Sequence, residues 1–247
     1  MTPEMSGLGE QALNKMAEMA IASQIETAEN LEVQVKIDPS NLAKGEVDAL
    51  AIKGEGLLMH PDLRMAKLQM QINSIAVKPF KALFGRIELV KPTVGTAQIV
   101  ITEADLDYAF NSEKIHSRLR QTVLHLDGKQ LVIKSVQVTC NLLSDGKIAM
   151  YIKLVPFETE ASKQFSFTAT LSISADEQTI VLQDIQYPVG KEPPLELTHT
   201  LAEWASEILN LQNFEMEGIL LYLHQVAVEA GNLILQAEAL VTQFPGS

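Results

Sequence analysis

Four acids stand within eleven residues near the end of the stretch IELVKPTVGTAQIVITEADLDYAFNSE: Glu103, Asp105, Asp107 and Glu113. Carboxylates this close can hold a divalent cation or work as a general acid and base. A calcium loop, however, needs acids at alternate positions closed by a glycine, with a distant glutamate. Here Leu106 and Tyr108 intervene and no glycine closes the loop. Thr102-x-x-Asp105 instead fits the start of a helix, with the threonine hydroxyl accepting a first-turn N–H. Glu103 and Asp105 would then sit where the helix dipole favours negative charge, each by about 0.3–1 kcal/mol. Leu106, Ala109 and Phe110 supply the apolar face of that helix. The stretch reads as a helix start after a buried strand, with a metal or catalytic site as the alternative.

Other catalytic patterns are absent. The chain has no G-x-S-x-G elbow, no phosphate loop and no H-E-x-x-H. Gly54-Glu55-Gly56 lacks a third glycine and reads as a bend inside a strand. His60, His116, His125, His199 and His224 share no metal-ligand spacing. Cys140, the one cysteine, lies in the apolar register of Val136, Val138 and Leu142 and reads as an inert core thiol. No enzyme, metal or cofactor is expected.

The elements that must position these residues follow from periodicity. Ser6–Ala28 carries an apolar stripe at helical spacing, and Leu31–Ile37 alternates like a half-buried strand. Long extended runs follow at Glu46–Met59 and Arg64–Val77, then a short helix over Pro79–Gly85. Strands at Arg86–Val90 and Thr93–Ile101 lead into helices over Glu103–Asn111 and Ser112–Val123. A β meander spans Gln130–Tyr187, a helix ends near Leu211, and strands close the chain at Glu215–Glu229 and Asn232–Phe244. The expected fold is α+β: a long, curved antiparallel sheet wrapped around one or two amphipathic helices, in a single domain over residues 1–247.

Composition bounds the function. Hydrophobic residues make up 47% of the 247, enough for a large core, and the formal charge is −12. An acidic surface repels phosphate backbones, so nucleic acid is not an expected partner. The N-terminus has no basic region followed by an apolar run, so no signal peptide is expected and a cytoplasmic, membrane-associated place is. Between Arg64 and Lys91, six basic residues meet a single acid, Glu88. This segment holds PFKALFG, where Phe80, Leu83 and Phe84 stand among Lys78, Lys81 and Arg86. An apolar tip in a basic collar suits peripheral contact with anionic lipid. The alternative is a short helix plugging the core. Met59, Met70, Ile72, Ile99, Ile101, Leu220 and Tyr222 lie on the long strands and are candidates to line an apolar groove. The run Ile219-Leu220-Leu221-Tyr222-Leu223 is apolar at successive positions, as if both faces met apolar surroundings.

Four segments carry a family resemblance: EVDALAIKGEGLLM, LRMAKLQMQI, PFKALFGRIELVKPTVGTAQIVITEADLDYAFNS and LNLQNFEMEGILLYL. The chain resembles the LmeA-like phospholipid-binding proteins, a bacterial family, over nearly its whole length. The resemblance implies a fold similar to tubular lipid-binding proteins, in which a curved antiparallel sheet wraps a helix and leaves an apolar groove. It implies binding, and transfer, of phospholipid or another amphiphile, and it brings no catalytic residues. Better-known members are exported, whereas no leader is read here. The competing expectation is a scaffold or protein-interaction module with a filled core, its partner unspecified.

Overall fold

A computed structural model describes residues 3–42, 44–78, 88–121, 124–126, 128–157, 161–190, 192–193 and 195–244. Among these, β1 (Asn30–Lys36), β2 (Glu46–His60), β3 (Leu63–Ala76), β4 (Thr93–Thr102), β11 (Ile219–Glu229) and β12 (Asn232–Val241) form an antiparallel sheet ordered β1-β2-β3-β4-β12-β11. A second sheet, β10-β9-β8-β7, is built from β7 (Ile133–Leu143), β8 (Lys147–Pro156), β9 (Lys163–Ile173) and β10 (Ile180–Gln186). A small hairpin pairs β5 (Leu124–Leu126) with β6 (Lys129–Leu131). The helices are α1 (Pro3–Ala22), α2 (Pro39–Leu42), α3 (Glu103–Phe110), α4 (Glu113–Gln121) and α5 (Leu195–Ile208). The architecture is α+β and antiparallel, as expected, with the strands shared between two open sheets. One continuous apolar cluster runs through both sheets, α3 and α5.

The longest strands bend without losing register. Along β2 the buried positions run Leu50, Ile52, Gly54, then Leu57 and Met59, so alternation slips by one at Gly56. Along β3 they run Leu68, Met70, Ile72, then Ile75, with the slip at Ser74. Both residues take a left-handed φ, +57° and +55°, which Gly56 tolerates freely and Ser74 does at some strain. The partner strand slips opposite each one, so Glu55 still faces Lys67 and Leu57 faces Met65. One apolar face is thereby kept inward along a pair of 15 and 14 residues.

The acid-rich segment follows Thr102 off the end of β4. The Thr102 hydroxyl accepts from the Asp105 N–H at 3.2 Å, and an Asp105 carboxylate oxygen accepts from the Thr102 N–H at 2.9 Å. This is the expected capping box. Three further side chains of the segment reach the free edge of β7. The Leu142 N–H donates to Glu103 Oε1 at 2.7 Å, and the Cys140 N–H to Asp107 Oδ1 at 2.6 Å. The Val138 N–H donates to Asn111 Oδ1 at 2.9 Å, and Asn111 Nδ2 returns a bond to the Val138 carbonyl at 2.7 Å. Helix geometry makes this possible. Four residues of helix advance about 6.0 Å and two residues of strand about 6.8 Å, so the two repeats stay in step over three contacts.

Other edges are treated alike. The Val35 N–H on β1 donates to Asn14 Oδ1 of α1 at 2.6 Å. On β11, Leu223 donates to the Glu177 carbonyl at 2.6 Å and Leu221 to Glu215 Oε1 at 3.0 Å. On β10, Ile180 donates to the Leu209 carbonyl at 3.3 Å. Each of the four edges of the two larger sheets is thus blunted by an acceptor from outside its sheet.

Some elements depart from the sequence reading. α1 stops at Ala22, short of Ala28, and Thr27 pairs with Leu58 instead. The strand expected from Gln130 is divided, because the chain doubles back at Gly128 to pair β6 with β5. The strand expected from Glu215 begins at Ile219, after a 3-10 turn over Leu211–Phe214.

The zipper predicts two stabilities. Asn111→Ala would orphan the Val138 N–H and carbonyl, so a loss of about 1–3 kcal/mol is expected as a lower urea midpoint. Asp107 behaves oppositely. Burial raises its pKa and the neighbouring Glu103 charge adds to this, against the lowering N–H of Cys140. A folded value above the unfolded one means that ionisation works against the fold, fully so above the raised pKa. Asp107→Asn keeps an acceptor for Cys140 and is expected to raise the melting temperature at pH 7. That gain should vanish below about pH 4, where the aspartate of both states is protonated. Equal gains at pH 7 and pH 3 would contradict it.

Candidate lipid-binding surfaces

The acids that open the question of chemistry each have a structural partner. Asp105 is buried against Thr102, with Arg64 Nε at 3.5 Å. Glu103 and Asp107 bond to β7, and Glu113 pairs with Arg120. Among the described residues no three His, Cys, Asp or Glu side chains gather as a metal site would require. Cys140 is buried, and burial, with the Asp107 and Glu103 charges adding to it, pushes its thiol pKa far up, away from reactivity.

Five groove candidates share the inner face of the six-stranded sheet. Met70 stands between Ile52 and Ala97, Ile72 between Leu50 and Gly95, and Ile99 between Leu68 and Leu235. Ile101 faces Leu233, and Met59 lies near the end of β2. All five are at most 8% exposed. Leu220 and Tyr222 do not join them. Ile219, Leu221 and Leu223 take the inward positions, which turns Leu220 and Tyr222 to the outer face. Between Leu223 and Gln225 the register shifts, so Val226 and Val228 pair with the inward Leu235 and Leu233. The apolar run thus reflects a strand with one buried face and an aliphatic outer face.

A feature that sequence reasoning missed occupies the middle of the inner face. Ala97 pairs with Ala237 and Gly95 with Ala239, giving four small residues side by side. Larger side chains flank them: Met70 and Ile72 on β3, Leu221 and Leu223 on β11. Ile72 leans over Gly95, where an added Cβ would come within 2.7 Å of its Cγ1 and 2.6 Å of the Gln71 carbonyl. The small-x-small spacing in Gly95-Thr96-Ala97 and Ala237-Glu238-Ala239 was the available signal.

Two depressions lie on outward faces instead. One, of about 450 Å³, is lined by Lys53, Gln69, Gln71, Gln98, Gln236 and His224. The other, of about 440 Å³, is lined by Gln137, Thr139, Tyr151, Lys153 and Gln164. Apolar side chains share both linings, Ile52, Met70, Ala97 and Ala237 in the first and Ile152 and Phe165 in the second.

The basic segment is spread more widely than its sequence suggests. Arg64 sits at the start of β3, paired with Glu29 at 2.7 Å. Twelve residues of strand, about 40 Å, separate it from Ala76. Beyond Ala76 the chain forms a narrow stem. Val77 bridges to Leu89, the Lys78 N–H donates to the Glu88 carbonyl at 2.9 Å, and the Val90 N–H to the Ala76 carbonyl at 2.8 Å. The Lys78 ammonium pairs with the Glu88 carboxylate. Phe80, Lys81, Leu83, Phe84 and Arg86 lie outside the described residues. Among those described, no helix is long and apolar enough to cross a membrane.

Comparison with curated proteins and with solved structures finds no match. The profile of one family, described as LmeA-like phospholipid-binding, matches residues 5–238, which takes in both sheets and every helix in all but the first two residues of α1 and the last three of β12. The chain belongs to the LmeA-like phospholipid-binding family.

Proposed function

We propose that this protein binds a phospholipid or similar amphiphile without catalysis, as one folded unit, with the acyl chains against the inner face of the six-stranded sheet. The family match over residues 5–238 carries this reading. The inner face supports it chemically. Met59, Met65 and Met70 lie there beside Ile72, Ile99 and Ile101, and unbranched thioether chains repack around a guest more readily than branched ones. The small Gly95, Ala97, Ala237 and Ala239 form a low strip between those larger side chains, with Ile72 leaning over Gly95.

Membrane contact belongs to the same proposal. The stem closed by Val77 and Leu89 bears the sequence Pro79–Gly85, whose Phe80, Leu83 and Phe84 would enter the acyl boundary while Lys78, Lys81 and Arg86 meet anionic head groups. This contact would let the protein collect or deliver its lipid at the cytoplasmic face of a membrane. A second reading is a scaffold with a filled core. It draws on the near-complete burial of the five inner candidates and on Ile72 resting over Gly95.

Protein purified without detergent is expected to carry phospholipid in native mass spectrometry. Delipidated protein should melt higher when phospholipid is restored, because a ligand of the native state stabilises it by mass action. Absence of both effects favours the scaffold. For the tip, Phe80→Asp with Phe84→Asp should abolish pelleting with anionic liposomes at an unchanged circular dichroism spectrum. Unchanged pelleting would remove the tip from the proposal.

A further inference from the structure

The outer face of the six-stranded sheet is polar across its middle, with Gln69, Gln98 and Gln236 in one cross-strand row, and carries the half-buried Val100, Ile234 and Ala227 toward the end away from the stem. Its chemistry changes near the end where the stem leaves. There Leu220 faces Leu240, and Leu240 faces Val94, in a straight row across β11, β12 and β4. Val94 is 51% exposed and Leu220 36%. Val90, at the foot of the stem, is 61% exposed, and the exposed Lys91 lies between the two valines in sequence. The next row holds Tyr222, Glu238 and Thr96, so the aliphatic strip ends after one row.

Three occupants could cover such a strip. A second copy of this chain is poorly served, since a stable dimer needs about 800 Å² from each partner and one row of aliphatic side chains falls well short. A protein partner of the same kind would face the same shortage. A lipid surface needs only shallow insertion, and it rewards aliphatic tips, a tyrosine with an apolar body and polar end, and a nearby cation.

We infer that Val90, Val94, Leu240 and Leu220, bordered by Tyr222 and Lys91, form a second membrane-contacting surface, which seats the β3–β4 end of the sheet on anionic phospholipid. This inference rests on the phospholipid-binding reading above and adds an orientation to it. The strip and the stem leave the same end of the sheet, so both meet one bilayer together. Glu238 in the adjacent row limits the depth of contact and keeps the association peripheral.

Val94→Glu with Leu220→Glu tests it, using vesicles of equal parts phosphatidylglycerol and phosphatidylcholine. Vesicle flotation should fall by about tenfold or more, because two apolar insertions are replaced by charges. Lipid retained in native mass spectrometry should not change. Gln98→Glu with Gln236→Glu adds the same charge to the polar row and should leave flotation within about twofold of wild type. Equal losses from both pairs would reduce the effect to net charge and overturn the inference, as would unchanged flotation of the first pair. A dimer in analytical ultracentrifugation, lost in the first pair, would overturn it in favour of self-association. Should the glutamate pair unfold, Val94→Ser with Leu220→Ser must still weaken flotation. Loss of flotation in a protein that carries no lipid would uphold the surface while sinking the lipid reading.

Discussion

The open edge of β7 is the constraint around which the two sheets are joined. An edge strand presents N–H groups that need acceptors and otherwise invite another chain. Here no strand supplies them. A helix does, with Glu103, Asp107 and Asn111 spaced so that each meets every second residue of β7. The helix is itself fixed to β4 by the Thr102–Asp105 capping box. A side-chain zipper therefore fastens the second sheet to the first, across a junction where no backbone ladder runs. Its geometry also decides how the apolar faces meet, since Leu106, Ala109 and Phe110 are buried from the same helix.

This arrangement explains why a strongly acidic stretch is not a reactive one. An acid becomes useful chemically when its oxygens face a substrate, a metal or a second carboxylate. Each of these acids is spent on a backbone donor or a cation within the fold. The exception to energetic comfort is Asp107, which sits toward the C-terminal half of its helix and one turn from Glu103. Burial disfavours its charge most, and the Glu103 charge adds to this. Asn111, one turn further on, does the same work with an uncharged amide and satisfies the Val138 carbonyl as well.

Much of the fold was legible because its signals are local. Alternation located β2, β3, β4 and β7–β10, and Thr102-x-x-Asp105 located the start of α3 to the residue. The zipper was not legible. Its partners lie 27 to 39 residues apart, and nothing in either segment names the other. The inner face was legible only in part. Met59, Met70, Ile72, Ile99 and Ile101 fall together because each obeys its strand's alternation, Met59 once the slip at Gly56 is counted. Leu220 and Tyr222 were misplaced because a run of five apolar residues carries no parity, and only the pairing with β12 assigns one. The spread of the basic segment was hidden for a different reason. Charge counted along a sequence treats a strand as compact, whereas an extended chain of this length carries Arg64 to the opposite end of the sheet from Lys78.

A lipid-binding reading places unusual demands on such evidence. Catalysis concentrates its requirements in a few polar groups at fixed distances, and motifs record them. An acyl chain has no polar handle, so its site is a property of a whole surface: which face is apolar, where it is lined by small residues, and which side chains can yield. On this sheet those properties coincide on β3, β4 and β12, where methionines and isoleucines border the paired Gly95, Ala97, Ala237 and Ala239. The outer face is polar across its middle, with aliphatic side chains in the strip at its stem end and at Val100, Ile234 and Ala227 toward the other end. On this sheet apolar side chains are thus divided between a buried inner face and an exposed strip at the stem end, a division that the proposed phospholipid binding accounts for. An aliphatic strip this narrow suits a shallow, reversible contact, as the proposed membrane seating requires.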